Sequence, residues 1–414
     1  MALWHQGLRL PYCKTKFMNN IRLLTLISAL TYVAVGITSP LIGLYLQSLG
    51  ADYQHISLIL ASVVVVSLVS SYIWGRISDR LGRRKPLLII GLVILALAYV
   101  FLSRAANQSW AWAARIFEGV GSAAYGTLSL AMMGDLLDKE QKKGLRMGWY
   151  RGLASAAFAI GSILGGRLAD RTSIAQTLQI CSGLYLAAAI CALALRETKV
   201  ITPLIRTVQQ TASAVVTGDT KWNRGLPILF LIGAVLWTAA HTASASMWPN
   251  YMNTLGYSKT TIGNLWGFAA FVEFPAMRIT GGLSDTLGRV PLLAAGGLGI
   301  ALVNLGYLFL AQLLPFLLAV QVFRGFGYSS YTTNAMTYAT ENTEASMRGS
   351  RSGIYNATAS AGSLLGTLLG GTLAQNFGFH FMYGMCATLA LCSAICFFML
   401  RRQNIAARPL IVNS

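Results

Sequence analysis

Residues 75–88 read GRISDRLGRRKPLL, and residues 281–293 read GGLSDTLGRVPLL. Both stretches contain an aspartate, then a Leu-Gly-Arg turn, and then the triplet Pro-Leu-Leu. A second pair of stretches has the same spacing, since FEGVGSAAY at 117–125 matches FRGFGYSSY at 323–331. An ordered series of matches at one spacing indicates an internal duplication. The two halves of the chain are therefore expected to fold alike.

Long apolar tracts surround both copies of the motif. The 414 residues are 55% hydrophobic and 11% charged, with a mean hydropathy of +0.57. A soluble domain carries about a quarter charged residues, whereas a membrane-spanning helix needs roughly 20 apolar residues. The tracts also lack the short alternating pattern of barrel strands, so we predict an all-α integral membrane protein. The twelve predicted spans are 22–46, 54–78, 86–103, 109–133, 146–170, 174–195, 225–248, 259–284, 290–311, 314–339, 350–374 and 380–400.

The net charge of +19 is distributed unevenly over the predicted connections. With a cytoplasmic N-terminus, most Lys and Arg residues fall in the termini and in the cytoplasmic connections. Only Arg104, Arg167, Arg171 and Lys259 fall on the opposite face. This is the positive-inside bias, and it predicts a multi-pass protein of the inner or plasma membrane with both termini cytoplasmic. The charge is not gathered with aromatic residues on one surface, so no nucleic acid is expected as a partner.

The duplication sets the domain organisation. We predict a cytoplasmic leader at 1–21, six-helix bundles at 22–195 and 225–400, a cytoplasmic linker at 196–224 and a cytoplasmic tail at 401–414. The leader has no apolar signal core, and translation could start at Met1 or at Met18. Parallel repeats of this kind place a solute site at their interface in one large class of transporters.

Residues 75–84, Gly-Arg-Ile-Ser-Asp-Arg-Leu-Gly-Arg-Arg, resemble the signature between helices 2 and 3 of the major facilitator superfamily, and residues 281–289 resemble its second, degenerate copy. Arg115, followed four residues later by Gly119, is similar to that family's helix 4 motif. The pattern is similar to bacterial proton-coupled efflux and sugar-efflux members. The resemblance implies twelve helices and alternating access, with helices 1, 4, 7 and 10 lining a cavity and helices 3, 6, 9 and 12 facing outward.

The resemblance also implies that the loop motif is a gate latch, which stabilises the state closed toward the cytoplasm through charge-assisted bonds between helix ends. Glycines within it permit close approach and a tight turn. The simpler alternative is that the basic residues of the loop only fix the topology of the helices in the membrane. That role would not require the aspartate or the glycines. The gating residues are Gly75, Asp79, Arg80, Gly82, Arg83 and Arg84, with Asp285, Gly288 and Arg289 in the second copy.

Polar side chains recur at helical spacing on several predicted spans. A charge at the bilayer centre costs about 2.5–3.5 kcal/mol even on the lenient insertion scale, so water, a partner or a solute must lie opposite it. Interhelical pairs, for example Arg115 with Glu118 and Glu273 with Arg324, are the structural alternative. The predicted substrate-cavity residues are Tyr32, Arg115, Glu118, Tyr125, His241, Trp266, Arg324, Tyr331, Asn334 and Asn356.

Glu273 is the first candidate for proton coupling, and Glu118 is the second. Glu273 lies near the middle of the eighth span in the run Phe-Val-Glu-Phe-Pro, and Pro275 is expected to kink that helix. A carboxyl group in apolar surroundings is able to load and release a proton. A structural salt bridge with Arg324 is the alternative for Glu273.

We therefore expect a proton-linked antiporter that exports a small organic solute. A proton symporter that takes up a metabolite or sugar shares every residue role except direction. Residues 161–166 read Gly-Ser-Ile-Leu-Gly-Gly, so Ser162 stands where exporters of the drug–proton antiporter branch have proline, and the direction stays open. A receptor or sensor on the same scaffold is the alternative from another class.

No nucleophile, no metal-ligand cluster and no phosphate-binding Gly-Lys-Ser/Thr loop is recognisable in the sequence. We therefore expect no enzyme activity, no cofactor and no metal site. The expected partners are the solute, protons as the coupling ion and the lipid bilayer, and the expected state is a monomer.

Overall fold

The computed structural model describes residues 10–137, 143–197, 226–341 and 345–406. These residues form helices and connecting turns, with no β-strand among them, which confirms the predicted all-α class. The helices are α1 (Leu10–Thr38), α2 (Ile42–Ser48), α3 (Tyr53–Leu81), α4 (Lys85–Ser103), α5 (Gln108–Leu137), α6 (Lys143–Arg171), α7 (Ile174–Leu193), α8 (Ile228–Thr254), α9 (Lys259–Leu287), α10 (Arg289–Leu310), α11 (Leu314–Thr340) and α12 (Ala345–Ala406).

Eight helical stretches of the described residues are long and apolar enough to cross a membrane. The last of them, Ser350–Gln403, has 54 residues and is interrupted at Gly378, whose φ is 82°. At 1.5 Å per residue this stretch exceeds twice the hydrocarbon thickness, so it supplies two crossings. The three remaining long helices, α5, α9 and α11, are less apolar because they carry charged residues within the span. Together these helices account for the twelve predicted crossings.

The described residues divide into two compact units. The first comprises the residues up to Leu41 and those from Ser62 to the gap at 198. Within it, α1 packs against α6 and α7, and α4 packs against α5 and α7. A Cβ atom at Gly161 of α6 would overlap the carbonyl oxygen of Val33 on α1. The absence of a side chain at Gly161 therefore lets these two helices meet at their backbones.

The second unit comprises Ile42–Ala61 and the described residues from 226 onward. Here α8 packs against α12, and α10 packs against α11 and α12. A Cβ atom at Gly366 of α12 would overlap the carbonyl oxygen of Ala239 on α8. Gly366 matches Gly161 when the alignment of the repeat is shifted by one residue, so the same backbone contact joins the corresponding helix pair in both halves.

The first predicted span, 22–46, needs a correction. The helix α1 ends at Thr38, and the chain resumes helical structure only at Ile42. Pro40 lies in this interruption, and proline has no N–H group with which to continue a helix. The short helix α2 is held within the second unit by Asn250, whose Nδ2 donates to the carbonyl oxygen of Gly43 at 3.2 Å and to Oε1 of Gln47 at 2.9 Å.

Helical structure extends into the predicted leader and the predicted tail. The helix α1 already includes residues 10–21, and α12 continues to Ala406. Residues 1–9, residues 198–225, which include most of the linker, and residues 407–414 lie outside the described residues.

Candidate substrate-binding and gating residues

Arg324 on α11 is a buried cation of the second unit. It is 9% exposed, and its Cζ lies 4.2 Å from the centroid of the Trp266 ring on α9. This cation–π contact orients the plane of the guanidinium. The Nη1 atom of Arg324 is buried and has no hydrogen-bond partner among the described residues.

A small cavity of about 10 Å³, which is room for roughly one water molecule, lies beside Arg324. Two further buried atoms of its wall, Nε1 of Trp248 and Oδ1 of Asn304, have no partner among the described residues. The Tyr307 hydroxyl donates to Oε1 of Gln321 at 2.9 Å and is close enough to accept a hydrogen bond from Arg324. The cavity is lined by His241, Ser244, Ala245, Trp248, Trp266, Ile300, Val303, Asn304, Tyr307 and Arg324.

Aromatic rings from α8 and α11 stack next to this cavity. Trp237 lies 3.8 Å from Tyr331 and 5.1 Å from His241, measured between ring centroids, with interplanar angles of 12° and 18°. Tyr328 lies 5.0 Å from His241 and 6.0 Å from Trp237, so the three rings cluster together. The stack holds the His241 ring at the cavity wall and buries Tyr331 in the core.

Glu273 lies on α9, the helix that also provides Trp266. Its backbone carbonyl accepts from the Ser329 hydroxyl at 3.2 Å, which ties α9 to α11. No ion pair of its carboxylate is found among the described residues, and Arg324 is the cation whose charge acts on it. The helix α9 continues through Pro275, and the kink expected there stays a prediction.

Arg115 and Glu118 form an ion pair within the first unit. The Tyr99 hydroxyl on α4 donates to Oε1 of Glu118 at 3.0 Å, and the Tyr99 ring lies 5.2 Å from that of Tyr185 on α7. Arg115 is 8% exposed. The structure therefore places both charged residues against α4 and α7, in the paired arrangement that the sequence left as the structural alternative.

The other predicted cavity residues are dispersed. Tyr125 is buried with its hydroxyl near Ser28 and Tyr150, whereas Tyr32 is 37% exposed on α1. Asn334 is fully buried and donates from Nδ2 to the Ser330 carbonyl of its own helix at 2.8 Å. Asn356 is exposed on α12.

Of the ten predicted cavity residues, only His241, Trp266 and Arg324 line the cavity described above.

The loop motif makes matching ion pairs in the two halves. Arg84 contacts the Asp135 carboxylate at the end of α5. Arg289 contacts Asp285 at 2.8 Å and Glu341, at the end of α11, at 3.2 Å. In each half, the arginine that begins one helix is thereby tied to the end of the next.

The glycines of the motif have unequal roles. Gly82 and Gly288 have φ values of 59° and 86°, so each needs the left-handed region that glycine adopts without strain. A Cβ atom at Gly75 would have no neighbour within 4 Å, so the expected close approach is not made there. Asp79, Arg80 and Arg83 are exposed.

Several buried polar residues that line the cavity or contact Glu118 were missed, because the family resemblance assigned their helices to the outside of the bundle. Tyr99 on α4 and Tyr307 with Asn304 on α10 belong to the third and ninth spans, yet each is 1% exposed or less. Asn304 alone had a recognisable signal, since an amide in the middle of an apolar tract needs a partner. Trp248 on α8 completes the cavity wall.

The chain matches one protein-family profile, several known transporters and solved transporter structures. The profile of the Major Facilitator Superfamily matches residues 24–313 and also 229–411. A Deinococcus radiodurans protein named as a sugar efflux transporter is 27% identical over 376 residues, covering 89% of this chain and 94% of that protein. An MFS-type transporter of Methanocaldococcus jannaschii is 23% identical over 382 residues, covering 91% and 96%. A crystal structure of a mutant of the nucleoside transporter NupG matches with a TM-score of 0.81 at 11% identity, covering 92% of this chain and 100% of that one, and supports the fold alone.

Proposed function

Because the chain belongs to the Major Facilitator Superfamily, whose profile spans most of its length, we propose that it exports a small organic solute in exchange for protons. The broader statement needs no proposal: this is a multi-pass membrane protein of a family of small-molecule transporters. The proposal concerns the direction of transport, the coupling ion and the residue that carries the proton.

The observation that carries the proposal is the position of Glu273. Its carboxylate lies in a membrane helix beside the cavity helix α11 and forms no ion pair with the described residues, while Arg324 acts on it from a distance. A carboxyl group without a contacting cation gains or loses a proton without breaking a salt bridge. Glu118, the second candidate, is held by Arg115 and Tyr99, and its titration would disrupt both contacts.

Export is favoured over uptake by the Deinococcus relative, whose name describes efflux. A proton symporter that takes up a metabolite or sugar is the second candidate, because the same residues serve either direction. A receptor on the transporter scaffold would bind its ligand without moving it. In the proposed state the protein is a monomer of the inner or plasma membrane with both termini in the cytoplasm, as the distribution of Lys and Arg predicts.

The test uses purified protein in liposomes that contain a pH-sensitive dye, with an imposed proton gradient. Sugars, carboxylic acids and lipophilic cations are added singly to the wild type, to Glu273→Gln and to Glu197→Gln. Glu197 is an exposed carboxylate at the start of the linker and serves as the matched control. We expect one solute to move protons in the wild type and the control, with loss of this movement in Glu273→Gln. Solute exchange without proton movement in the wild type would contradict proton coupling.

A further inference from the structure

We propose that residues 42–61 form a releasable strap, which leaves α8 and α12 when the transporter opens toward the face opposite the cytoplasm. The strap comprises α2, the turn after it and the first turns of α3. It comes from the first half of the duplicated sequence, yet it packs as part of the second unit. The proposal rests on the proposed function in one point, because release of the strap belongs to a transport cycle.

The first contact of the strap is made by Asn250 of α8, which is fully buried. Its Nδ2 atom donates to two acceptors of α2, the Gly43 carbonyl at 3.2 Å and Oε1 of Gln47 at 2.9 Å. Its Oδ1 atom is buried and has no hydrogen-bond partner among the described residues. A buried acceptor without a partner costs free energy, and water would satisfy it once α2 has left. The contact therefore fixes the position of α2 without making its release prohibitively costly.

The second contact joins the first turns of α3 to α12. The backbone N–H of Tyr53 donates to Oε1 of Gln375 at 3.0 Å, and the Tyr53 ring lies 4.9 Å from that of Phe379. A Cβ atom at Gly371 would overlap the Tyr53 carbonyl oxygen and the Ser57 side chain. Helices meet this closely only where a side chain is missing. A larger residue at position 371 would hold the strap away from α12.

The helix α3 connects the strap with the loop motif at its other end. It runs without interruption from Tyr53 to Leu81, so that residues 53–61 belong to the second unit and residues 62–81 to the first. Its 29 residues span roughly 44 Å at 1.5 Å per residue, which exceeds the hydrocarbon thickness of about 30 Å. Because a continuous helix moves as one rod, a movement of residues 62–81 with the first unit also displaces the strap.

The position of the strap determines which opening would release it. It joins the first predicted span to the second, so in the proposed orientation it lies at the face opposite the cytoplasm. A transporter that opens to one face at a time must break the contacts that close that face. The contacts with Asn250, Gln375 and Gly371 are of this kind, and each involves uncharged groups.

The experiment measures maleimide labelling of two introduced cysteines in the purified full-length protein, with each labelled site identified by mass spectrometry. Ser57 is 1% exposed and lies against Gly371, so Ser57→Cys should react only after release of the strap. Ser71 lines an open groove between α3 and α5, so Ser71→Cys should react while the strap is docked. The native Cys392, which is exposed on α12, is the internal standard for the labelling rate.

Two further substitutions should release the strap in different ways. Asn250→Ala removes two hydrogen bonds and should raise the labelling rate of Ser57→Cys by about tenfold. Gly371→Val fills the space that the strap occupies and should raise this rate further. Gly371→Val should also lower the labelling of Ser71→Cys by about twofold or more, because opening toward one face depopulates the state open toward the other.

The matched controls are Asn253→Ala and Gly384→Val. Asn253 is exposed on the same helix as Asn250, and a Cβ atom at Gly384 of α12 meets no atom within 4 Å. Both controls should leave the labelling at both positions unchanged. Asn250→Ala tests release on its own if Gly371→Val does not fold.

Three results would overturn the proposal. Rapid labelling of Ser57→Cys without a further substitution would mean that the strap is not docked. Unchanged labelling in Asn250→Ala would mean that Asn250 does not hold it. A rise at Ser57→Cys in Gly371→Val without a fall at Ser71→Cys would mean that the strap frays locally, with no link to transport.

Failure of this inference is distinguishable from failure of the proposed function. Labelling in detergent needs neither a solute nor a proton gradient, so the expected pattern can appear when the liposome experiment shows no proton movement. Proton movement that depends on Glu273, together with labelling that does not follow the pattern, would overturn the strap alone.

Discussion

Arg289 donates from Nε to Oε2 of Glu341 at 3.2 Å, which ties the start of α10 to the end of α11. Arg84 and Asp135 make the corresponding contact between α4 and α5 in the first half. The duplicated motif therefore retains one interaction in both copies, although most residues around it have diverged. Because each ion pair joins two helices of the same half, it stabilises that six-helix half, in addition to any role of the motif in gating.

The first prediction concerns the strength of these ion pairs. Glu341→Gln and Asp135→Asn should each lower stability by about 0.2–1 kcal/mol, because the pairs are partly exposed and screened by water. Thermal unfolding in detergent at low salt and at 1 M salt measures this effect. A destabilisation that is equally large at both salt concentrations would show that the pairs act through something other than charge.

The second prediction concerns the glycine contact between α1 and α6. Gly161→Ala should destabilise the protein by about 1–3 kcal/mol, since its Cβ would overlap the Val33 carbonyl and force the helices apart. Gly183→Ala is the control in the same unit, because a Cβ there meets no atom within 4 Å. The control should be neutral or stabilising by up to about 1 kcal/mol, as alanine favours helix more than glycine does. Equal destabilisation by both changes would contradict the packing account.

The third prediction separates the two buried arginines. Arg115→Gln leaves Glu118 buried without its cation, and breaking such a pair costs about 3–5 kcal/mol. Arg324→Gln breaks no direct ion pair among the described residues, although it removes the charge that acts on Glu273 and the contact with Trp266, so it should cost less than Arg115→Gln. Thermal unfolding of the two variants tests the contrast, and the double variant Arg115→Gln/Glu118→Gln should recover most of the loss. A loss as large in Arg324→Gln as in Arg115→Gln would mean that Arg324 is already paired.

The fourth prediction concerns pH and the start of α3. The pKa of Asp52 is lowered because the backbone N–H of His55 donates to its carboxylate at 2.7 Å. A lowered folded-state pKa means that the stabilisation is present above about pH 4, the ordinary range of an aspartate, and is lost as the pH falls below it. Asp52→Ala should therefore cost about 0.5–2 kcal/mol at neutral pH and little at pH 3.

The measurement for this fourth prediction is the unfolding midpoint of the wild type and of Asp52→Ala between pH 3 and pH 7. His55→Gln removes the ring contact with Asp52 while keeping the backbone donor, so it should retain most of the pH dependence. A constant difference between wild type and Asp52→Ala across this range would contradict the capping role.

The spans and the repeat were predictable from the sequence, because both depend on properties of single segments. Hydropathy located the crossings, and the same spacing of 206 residues that relates the two motifs carries Asp135 to Glu341. The break after Thr38 was missed, since apolar residues continue on both sides of Pro40 and mask a turn within one hydropathic tract.

The site was only partly predictable, because helical spacing shows which residues share a face and not what that face meets. Arg324 and Trp266 were identified, but their stacking depends on the rotation of α9 against α11. Arg115 and Glu118 share a helix face as expected, yet that face meets Tyr99 on α4. Partners of this kind, contributed by a neighbouring helix, become visible only when the packing of the unit is known.

The most direct test of the central claim compares exchange with gradient-driven transport in Glu273→Gln. Liposomes are loaded with the solute that moves protons in the wild type, and uptake of the labelled solute is followed with and without a proton gradient. Exchange without a gradient needs solute binding and alternating access, whereas accumulation against a concentration difference also needs the proton. We predict that Glu273→Gln keeps exchange near the wild-type rate and loses gradient-driven accumulation. Retained accumulation in Glu273→Gln, or loss of both activities together, would contradict the assignment of the coupled proton to Glu273.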